Sequence, residues 1–371
     1  MKNCLIPWAM PKIFGHEKKW VGKAIDSTWV SDGPFVSQLE ETASTLLGIK
    51  NVLAVSNGTT ALHACYLALG LKPGDEILLP GYGYQGAANI ALISRLSPRF
   101  VDVNPRTWCM DPQHLEKIIT AKTQAVIVIH SYGNVCDMRS IMRIAEKYGV
   151  PVIEDCAESF YSRYEDRMSG AWGDLSTFSM QATKTITSGE GGLIGINNSS
   201  YLDKIMLIRS HGMRRADRYY WHEIPGHNFR LTNMQAAFAC AQIERLDEIV
   251  AKRTHIYNTY KQFLRGHEDA LQMQHFCNEV NPLVWAIGIK LNPLAFSLSR
   301  DEILVNMRKK NIECRPGFYT PNQLPIHDSH PEIPQSEEIA DNLISPPMFH
   351  DLTDLQIESI CQTLLDFRDK A

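Results

Sequence analysis

Residues 179–192 read S-M-Q-A-T-K-T-I-T-S-G-E-G-G, and the reading of this stretch decides the fold. Lys184 stands among small and hydroxylated residues, with no acidic neighbour until Glu190. Apolar, strand-like segments flank it, 175–180 before and 193–196 after the pair Gly191-Gly192. The pattern predicts strand, functional turn, strand, with the amine partly withdrawn from water. Desolvation and nearby cations lower a lysine pKa and free the amine for imine chemistry. An exposed lysine on a hairpin would leave the same local trace, and on this motif alone that plainer reading is favoured. The rest of the chain reverses the balance.

Upstream, apolar strands alternate with helices. Strands are expected at 52–55, 76–79, 99–103, 125–129 and 150–153, with helices at 59–69, 84–94, 111–119 and 137–148. Two helices around an S-D-G-P loop, within 15–48, precede the alternation. Repeated strand–helix units with short connections predict an α/β fold, a mainly parallel sheet covered by helices on both faces. Ligands of such sheets bind beyond the carboxyl ends of the strands.

The first junction at those ends reads S-N-G-T-T (56–60) and runs straight into a helix. Glycine and small hydroxylated residues there supply free N–H groups, hydroxyls and the positive end of the helix dipole. These are the parts of a phosphate cup, although an ordinary N-cap draws on the same residue types. His63, one turn into the helix, reads as a packed histidine. After the second strand comes P-G-Y-G-Y, where Tyr84 could lie flat on a planar ring or pack the loop. V-P-V-I-E-D-C (150–156) sets Glu154 and Asp155 behind an apolar run. A carboxylate there is costly unless a cation meets it or it caps the next helix.

Downstream the pattern changes. A helix at 201–209 leads into a long loop rich in Arg, His and Asn, which suits recognition better than packing. Within it Arg214, Arg215 and Arg218 read as solvated surface. One long helix is expected from Thr232 to about Leu264, bridging two domains. From about 282 shorter segments predict a smaller α+β domain: strand 284–291, helix 300–310, strand 312–315 and a closing helix 354–367. The expected division is 1–245 and 246–371, the length of 371 residues favouring two cores.

Composition narrows the function classes. A net charge of -4 with no basic block gives no reason to expect nucleic acid or an acidic membrane. No apolar run approaches the roughly 18–20 residues of a membrane span, and the start M-K-N-C-L-I-P-W-A-M-P makes a poor signal peptide. Nine cysteines occur singly, without a C-x-x-C pair, which argues against a disulfide frame or a zinc knuckle and for reduced thiols in the cytoplasm. No metal site is expected.

A phosphate cup, a stacking aromatic, a strand-end aspartate and a turn lysine, in that chain order, together describe a pyridoxal phosphate site. Lysine holds the cofactor as a Schiff base, the carboxylate keeps the ring nitrogen protonated, and amides with hydroxyls anchor the phosphate. Each piece is ambiguous; the ordered set is not.

At S-N-G-T-T-A-L-H, P-G-D-E-I-L-L-P, I-E-D-C-A-E-S, F-S-M-Q-A-T-K-T-I-T-S-G-E-G-G, R-S-H-G and G-H-N-F-R-L-T-N-M-Q-A-A, the sequence resembles the DegT/DnrJ/EryC1/StrS nucleotide-sugar aminotransferases. The resemblance is strong over about 15–250 and looser beyond. It implies the type I fold of pyridoxal phosphate enzymes, with a seven-stranded sheet. It also implies Lys184 as the Schiff-base lysine, Asp155 as the pyridine partner and Tyr84 as the stacking aromatic. Gly58, Thr59 and Ser179 would hold the phosphate, and Asn228 would reach the phosphate of a neighbouring subunit, so a homodimer with shared active sites is implied. Glu158 stands near the cofactor's hydroxyl side, where many members have Gln and some that act on 4-keto-6-deoxy sugars have Glu.

Dehydratases of that family replace the lysine with histidine, so Lys184 argues for transamination. The implied scheme is ping-pong, with L-glutamate as donor and a nucleotide-linked keto sugar as acceptor. R-Y-Y-W-H-E-I-P-G-H-N-F-R-L-T-N resembles the perosamine synthases, which aminate GDP-4-keto-6-deoxymannose. R-P-G-F-Y-T-P-N-Q-L-P departs from the family's commoner R-P-x-F-x-P-x-H, leaving Asn322 or Gln323 where that pattern has His. Rival readings are an aminotransferase for another keto sugar, a carbon-carbon or carbon-sulfur lyase of the same fold, and a non-catalytic scaffold or regulatory protein.

Overall fold

In the computed structural model, which describes residues 5–214, 218–328 and 330–369, the alternating region builds most of one large sheet. It supplies β1 (Asn51–Val55), β2 (Glu76–Pro80), β3 (Ser97–Val101), β4 (Thr123–Ile129) and β5 (Val152–Asp155). A short hairpin follows, β6 (Arg163–Tyr164) and β7 (Arg167–Met168); then β8 (Leu175–Ser179) and β9 (Gly192–Ile196) bracket the Lys184 turn. The seven strands lie in the order β1-β9-β8-β5-β4-β2-β3. From β8 to β3 all neighbours are parallel, while β9 runs antiparallel to both β1 and β8. Helices cover both faces, so the middle strands are apolar without alternation; in β4 the run 125–129 is buried throughout.

The second unit is built on β10 (Leu271–Met273), β11 (Val280–Asn281), β12 (Ile289–Leu291), β13 (Arg315–Pro316) and β14 (Leu343–Ser345). Four of these form an antiparallel sheet, β10-β12-β14-β13, while β11 pairs back onto β6. Helices Leu246–Phe263, Arg300–Lys309 and Asp354–Leu365 close its core around Ile256, Tyr260, Ile289, Ile303, Ile344 and Ile360. Residues before the first helix cross to this unit: the Ile6 N–H donates to Asn311 O at 2.8 Å, and Trp8 O accepts from the Met348 N–H at 2.8 Å.

Three expectations need correction. The long helix is two, Asn233–Ile243 and Leu246–Phe263, interrupted where Arg245 leaves helical geometry at φ -110, ψ 16. The first packs on helices His16–Asp26 and Pro34–Leu47 and the second on Asp354–Leu365, so the break lets each half follow its own core. The strand expected at 284–291 ladders only over Ile289–Leu291, because the carbonyls of Val284 and Trp285 accept from Arg253 instead of a neighbouring strand. The strand expected at 312–315 pairs with β14 only at Arg315-Pro316, because its start bridges to Ile6 instead, the Glu313 N–H donating to Ile6 O at 3.0 Å.

Candidate active site

A cavity of about 820 Å³ opens at the carboxyl edge of the large sheet. Gly58, Thr59, Tyr84, Asp155, Glu158, Ser179 and Lys184 all line it. Asn228 does not. It is exposed and forms a bridge with Ser210 on the loop after helix Leu202–Arg209.

The cup forms because β1 ends at Val55 and a helix starts at Gly58. Asn57 caps that helix: its Oδ1 accepts from the Thr60 N–H at 2.8 Å, and Thr60 Oγ1 accepts from the Asn57 N–H at 3.2 Å. The N–H groups of Gly58 and Thr59 belong to the first turn, which has no intrahelical acceptor, so they remain for a ligand. Thus the N-cap is made by Asn57 and Thr60, and leaves the amides of Gly58 and Thr59, which line the cavity, open to the cup reading. Two glycines make the close approaches. A Cβ on Gly58 would sit 3.1 Å from Ser179 Cβ, and one on Gly192 would lie 2.5 Å from the Asn57 carbonyl carbon. Neither position tolerates a side chain without opening the cup. A Cβ on Gly86 would meet the Tyr84 ring at 3.3 Å, so glycine there makes room for the aromatic.

Strand alternation sorts the two carboxylates of β5 onto opposite faces. Glu154 faces away from the cavity, fully buried. It accepts from His130 Nε2 at 3.0 Å and from the N–H groups of Gly170, Trp172 and Gly173 at 2.9, 2.8 and 2.7 Å. Glu154, His130 and Cys156 are close enough to suggest metal ligation, but the glutamate oxygens are already saturated by these donors. Asp155 faces the cavity. Its Oδ1 accepts from the Ala157 N–H at 3.0 Å, and burial raises its pKa against the pull of that N–H, Lys184 and His130. Glu158 follows one turn on. Its Oε2 accepts from the Tyr132 N–H at 2.9 Å, while its buried Oε1 has no hydrogen-bond partner among the described residues. Burial pushes Glu158 up to about 7, opposed by Lys184 and the Tyr132 N–H.

The lysine turn is shaped by its own side chains. Gln181 Oε1 accepts from the Thr183 N–H and hydroxyl at 2.8 and 2.7 Å, Thr187 Oγ1 donates to Met180 O at 3.2 Å, and Gly189 takes φ +82. Lys184 is thereby aimed into the cavity with 14% of its side chain exposed, its Nζ 3.9 Å from Glu158 Oε1 and 3.7 Å from the centroid of the Trp285 ring. Burial lowers its pKa; Glu158 and Asp155 raise it, and Arg253 lowers it further.

These residues fit a pyridoxal phosphate. The uncapped amides and Ser179 match a phosphate, the buried Asp155 calls for a cation such as a protonated ring nitrogen, and the orphaned Glu158 Oε1 calls for a donor or cation. Lys184 is a buried amine partly shifted toward its neutral form.

The far wall is made by residues that the sequence did not single out: Trp8, Tyr132, Trp285, Arg315 and Phe318. Arg315 lies 3.9 Å over the Trp8 ring, and Trp8 Nε1 donates to Ser345 Oγ at 2.9 Å. Arg315 and Phe318 were visible only as part of R-P-G-F-Y, and nothing local marks Trp8, Tyr132 or Trp285 as cavity residues. In the long loop after helix Leu202–Arg209, Arg214 forms surface ion pairs with Asp203 and Glu223, and Arg218 lies 4.2 Å over Trp221. Arg215 falls outside the described residues. His63 packs, as expected, 5.1 Å from the His227 ring.

The model of the DegT/DnrJ/EryC1/StrS aminotransferase family matches residues 11–365. The chain is 34% identical to a GDP-perosamine synthase from Escherichia coli O157:H7, over 98% of each chain. It is likewise 34% identical to a GDP-perosamine synthase from Caulobacter vibrioides, over 96% of each. Among solved structures it superposes on Helicobacter pylori PseC, an aminotransferase of pseudoaminic acid biosynthesis, with a TM-score of 0.92 and 23% identity, covering 98% of this chain and 99% of that one.

Proposed function

The chain belongs to the DegT/DnrJ/EryC1/StrS aminotransferase family, and from that premise we propose that this pyridoxal phosphate-dependent sugar aminotransferase moves the amino group of L-glutamate to the keto carbon of GDP-4-keto-6-deoxymannose or a closely similar 4-keto-6-deoxyhexose. The product is of the GDP-perosamine type, for surface polysaccharide synthesis in the cytoplasm. The relatives named GDP-perosamine synthase support the substrate class. The observation that carries the reading is Lys184 Nζ lying within 3.9 Å of Glu158 in a cavity that Asp155 and the Gly58-Thr59 cup also line.

Each residue then has a task. The amides of Gly58 and Thr59 and the Ser179 side chain would hold the phosphate, Tyr84 would stack on the ring, and Asp155 would keep a proton on the ring nitrogen. Glu158 accepts at the hydroxyl side of the ring. When bound, the cofactor supplies an electron sink for the carbon that loses its proton. Lys184 would hold it through Nζ, and as a free neutral amine Nζ is placed to carry the proton taken from the donor's α-carbon. The neutral amine that this requires is favoured by burial. Trp285 and Phe318 give the far side an aromatic surface. We place the domain boundary at 245/246, where the two helices part, with the cavity between the 1–245 and 246–371 units.

Asn228 is assigned to the phosphate of a partner copy in a homodimer. Its exposure supports this, as do the neighbouring exposed aromatics Tyr219, Tyr220 and Trp221. Mixing Lys184→Ala with Asn228→Ala subunits should regain part of the activity that each variant lacks alone; no regain would remove the shared site.

The main test is spectroscopic. The purified protein should show a visible cofactor band that L-glutamate bleaches, and borohydride should fix a pyridoxyl mass on Lys184. GDP-4-keto-6-deoxymannose should then restore the band and yield an aminated sugar. No band after added cofactor, or a label elsewhere, overturns the site. A band that only other keto sugars restore overturns the substrate.

A further inference from the structure

Behind the lysine turn, on the side away from the main cavity, the structure holds a cation with no anion. Arg253, on helix Leu246–Phe263, reaches a cavity of about 30 Å³ that Lys184, Thr183, Thr185 and Thr187 also line. No carboxylate lies within ion-pair distance of its guanidinium among the described residues. Its partners are two main-chain carbonyls: Nη1 donates to Trp285 O at 2.8 Å and, more weakly, to Val284 O at 3.4 Å. Those carbonyls are the ones missing from the β-ladder that the sequence leads one to expect. The bonds fix the segment before β12 in a turned conformation, and Trp285 is its pivot. Trp285 Nε1 donates to Thr183 O at 2.8 Å, and its ring lies 3.7 Å from Lys184 Nζ. A continuous chain of contacts thus runs from helix Leu246–Phe263 through Trp285 to the residue before the lysine and to the amine itself.

We infer that Arg253 is a positioning residue for Lys184: through Trp285 it fixes where the amine stands, and as an unpaired cation it favours the neutral amine. This rests on the reading of Lys184 as the cofactor-holding and proton-carrying residue. A partly buried guanidinium without a carboxylate is costly, and the simplest packing solution would have been an apolar side chain. Such departures gather at functional sites. Burial draws Arg253 down to about 10, which still leaves it charged at neutral pH. The ring gives the amine a cation-friendly face and the carboxylates attract a proton to it, while Arg253 works against both. The other ionisable groups around the amine are Glu158 at 3.9 Å and Asp155, with Lys12 and His350 lining the small cavity and Glu190 and Arg315 the large one.

The test reads the amine directly. In the full-length protein freed of cofactor, Lys184 is acetylated with acetic anhydride across a pH series and the modified peptide is quantified by mass. Arg253→Gln keeps a donor for the carbonyls and removes the charge. It should raise the midpoint of the Lys184 labelling curve by about one pH unit. Arg253→Lys, which keeps the charge, should stay close to wild type. Trp285→Phe removes the bond to Thr183 and should raise the limiting rate at high pH severalfold with a smaller change of midpoint. Curves for Arg253→Gln that superimpose on wild type in midpoint and rate overturn the inference. If Arg253→Gln does not fold, a limiting rate in Trp285→Phe equal to wild type does the same. A wild-type protein that never takes pyridoxal phosphate on Lys184 would instead end the proposed function, while these curves would still decide the role of Arg253.

Discussion

The two walls of the cavity are built differently. On one side Gly58, Asp155, Glu158, Ser179 and Lys184 sit at or just beyond the ends of strands β1, β5 and β8, each placed by a strand or turn only a few residues away. On the other, Trp8, Trp285 and the pair Arg315 and Phe318 come from three separate segments, held by contacts between residues far apart in sequence. Trp8 is anchored through Ser345, Trp285 through Arg253 and Thr183. In the proposed function the first wall carries the groups that would hold the cofactor. The second carries aromatic and cationic surface from Trp8, Arg315 and Phe318, with Trp285 the exception, since its ring also lies 3.7 Å from Lys184 Nζ. We read the first as the reaction and the second as the choice of substrate.

Lys184→Ala is the largest test of that division. It should lower amino transfer by on the order of 10⁴-fold or more, with a melting temperature close to wild type. A variant that retains ordinary activity would empty the first wall of its role. Asp155→Asn comes next. Losing the charge should reduce kcat by about 10²–10³-fold, with the KM for the sugar nearly unchanged. A rise confined to KM would move Asp155 to the binding side of the comparison. Phe318→Ala then probes the second wall. It should raise the KM for the nucleotide sugar about tenfold and leave the borohydride label on Lys184 intact. A loss of the label would show that the walls are not separable.

The smallest expected effect is one of pH. In the folded protein Glu158 titrates at about 7, above the ordinary 4.5, because burial disfavours its charge. The native state therefore binds more protons than the unfolded chain between those values. The stabilising contribution is complete below about 4.5 and is lost as pH rises through about 7. Thermal melting of the cofactor-free protein should fall by a few degrees from pH 5 to pH 8, and Glu158→Gln should flatten that slope. An unchanged slope in the variant would show that a buried, raised Glu158 is not the source of the pH dependence.

The same division explains what could be read from the chain. The central strands were legible because a parallel sheet buried on both faces writes continuous apolar runs, as in β4. Lys184 and Asp155 were legible because polar residues at the ends of such runs need a reason. Glu154 shows the limit of that argument. The sequence set it beside Asp155 as an equal, and only strand alternation and the amides of Gly170, Trp172 and Gly173 make it a structural residue. The break at Arg245 was hidden because its neighbours all favour helix, and the divergence of two packing partners lies outside any local window. Trp285 was hidden for a related reason. An apolar run beginning near Val284 looks like a strand until Arg253, on another helix, takes its carbonyls.

The reversed strand β9 has a consequence for the order in which a nascent chain can assemble. Among the described strands β1 ladders only with β9, Val55 pairing with Gly192, and a Cβ on that glycine would meet the Asn57-Gly58 peptide of the cup; a further bridge, Val55 to Arg230, also comes from later in the chain. Until residues 192–196 have left the ribosome, β1 is an unpaired edge and the cup has neither its backing nor the lysine turn beside it. Sheet closure and completion of the cofactor cradle are then one late step, so that cofactor retained by a growing chain would mark a finished large sheet.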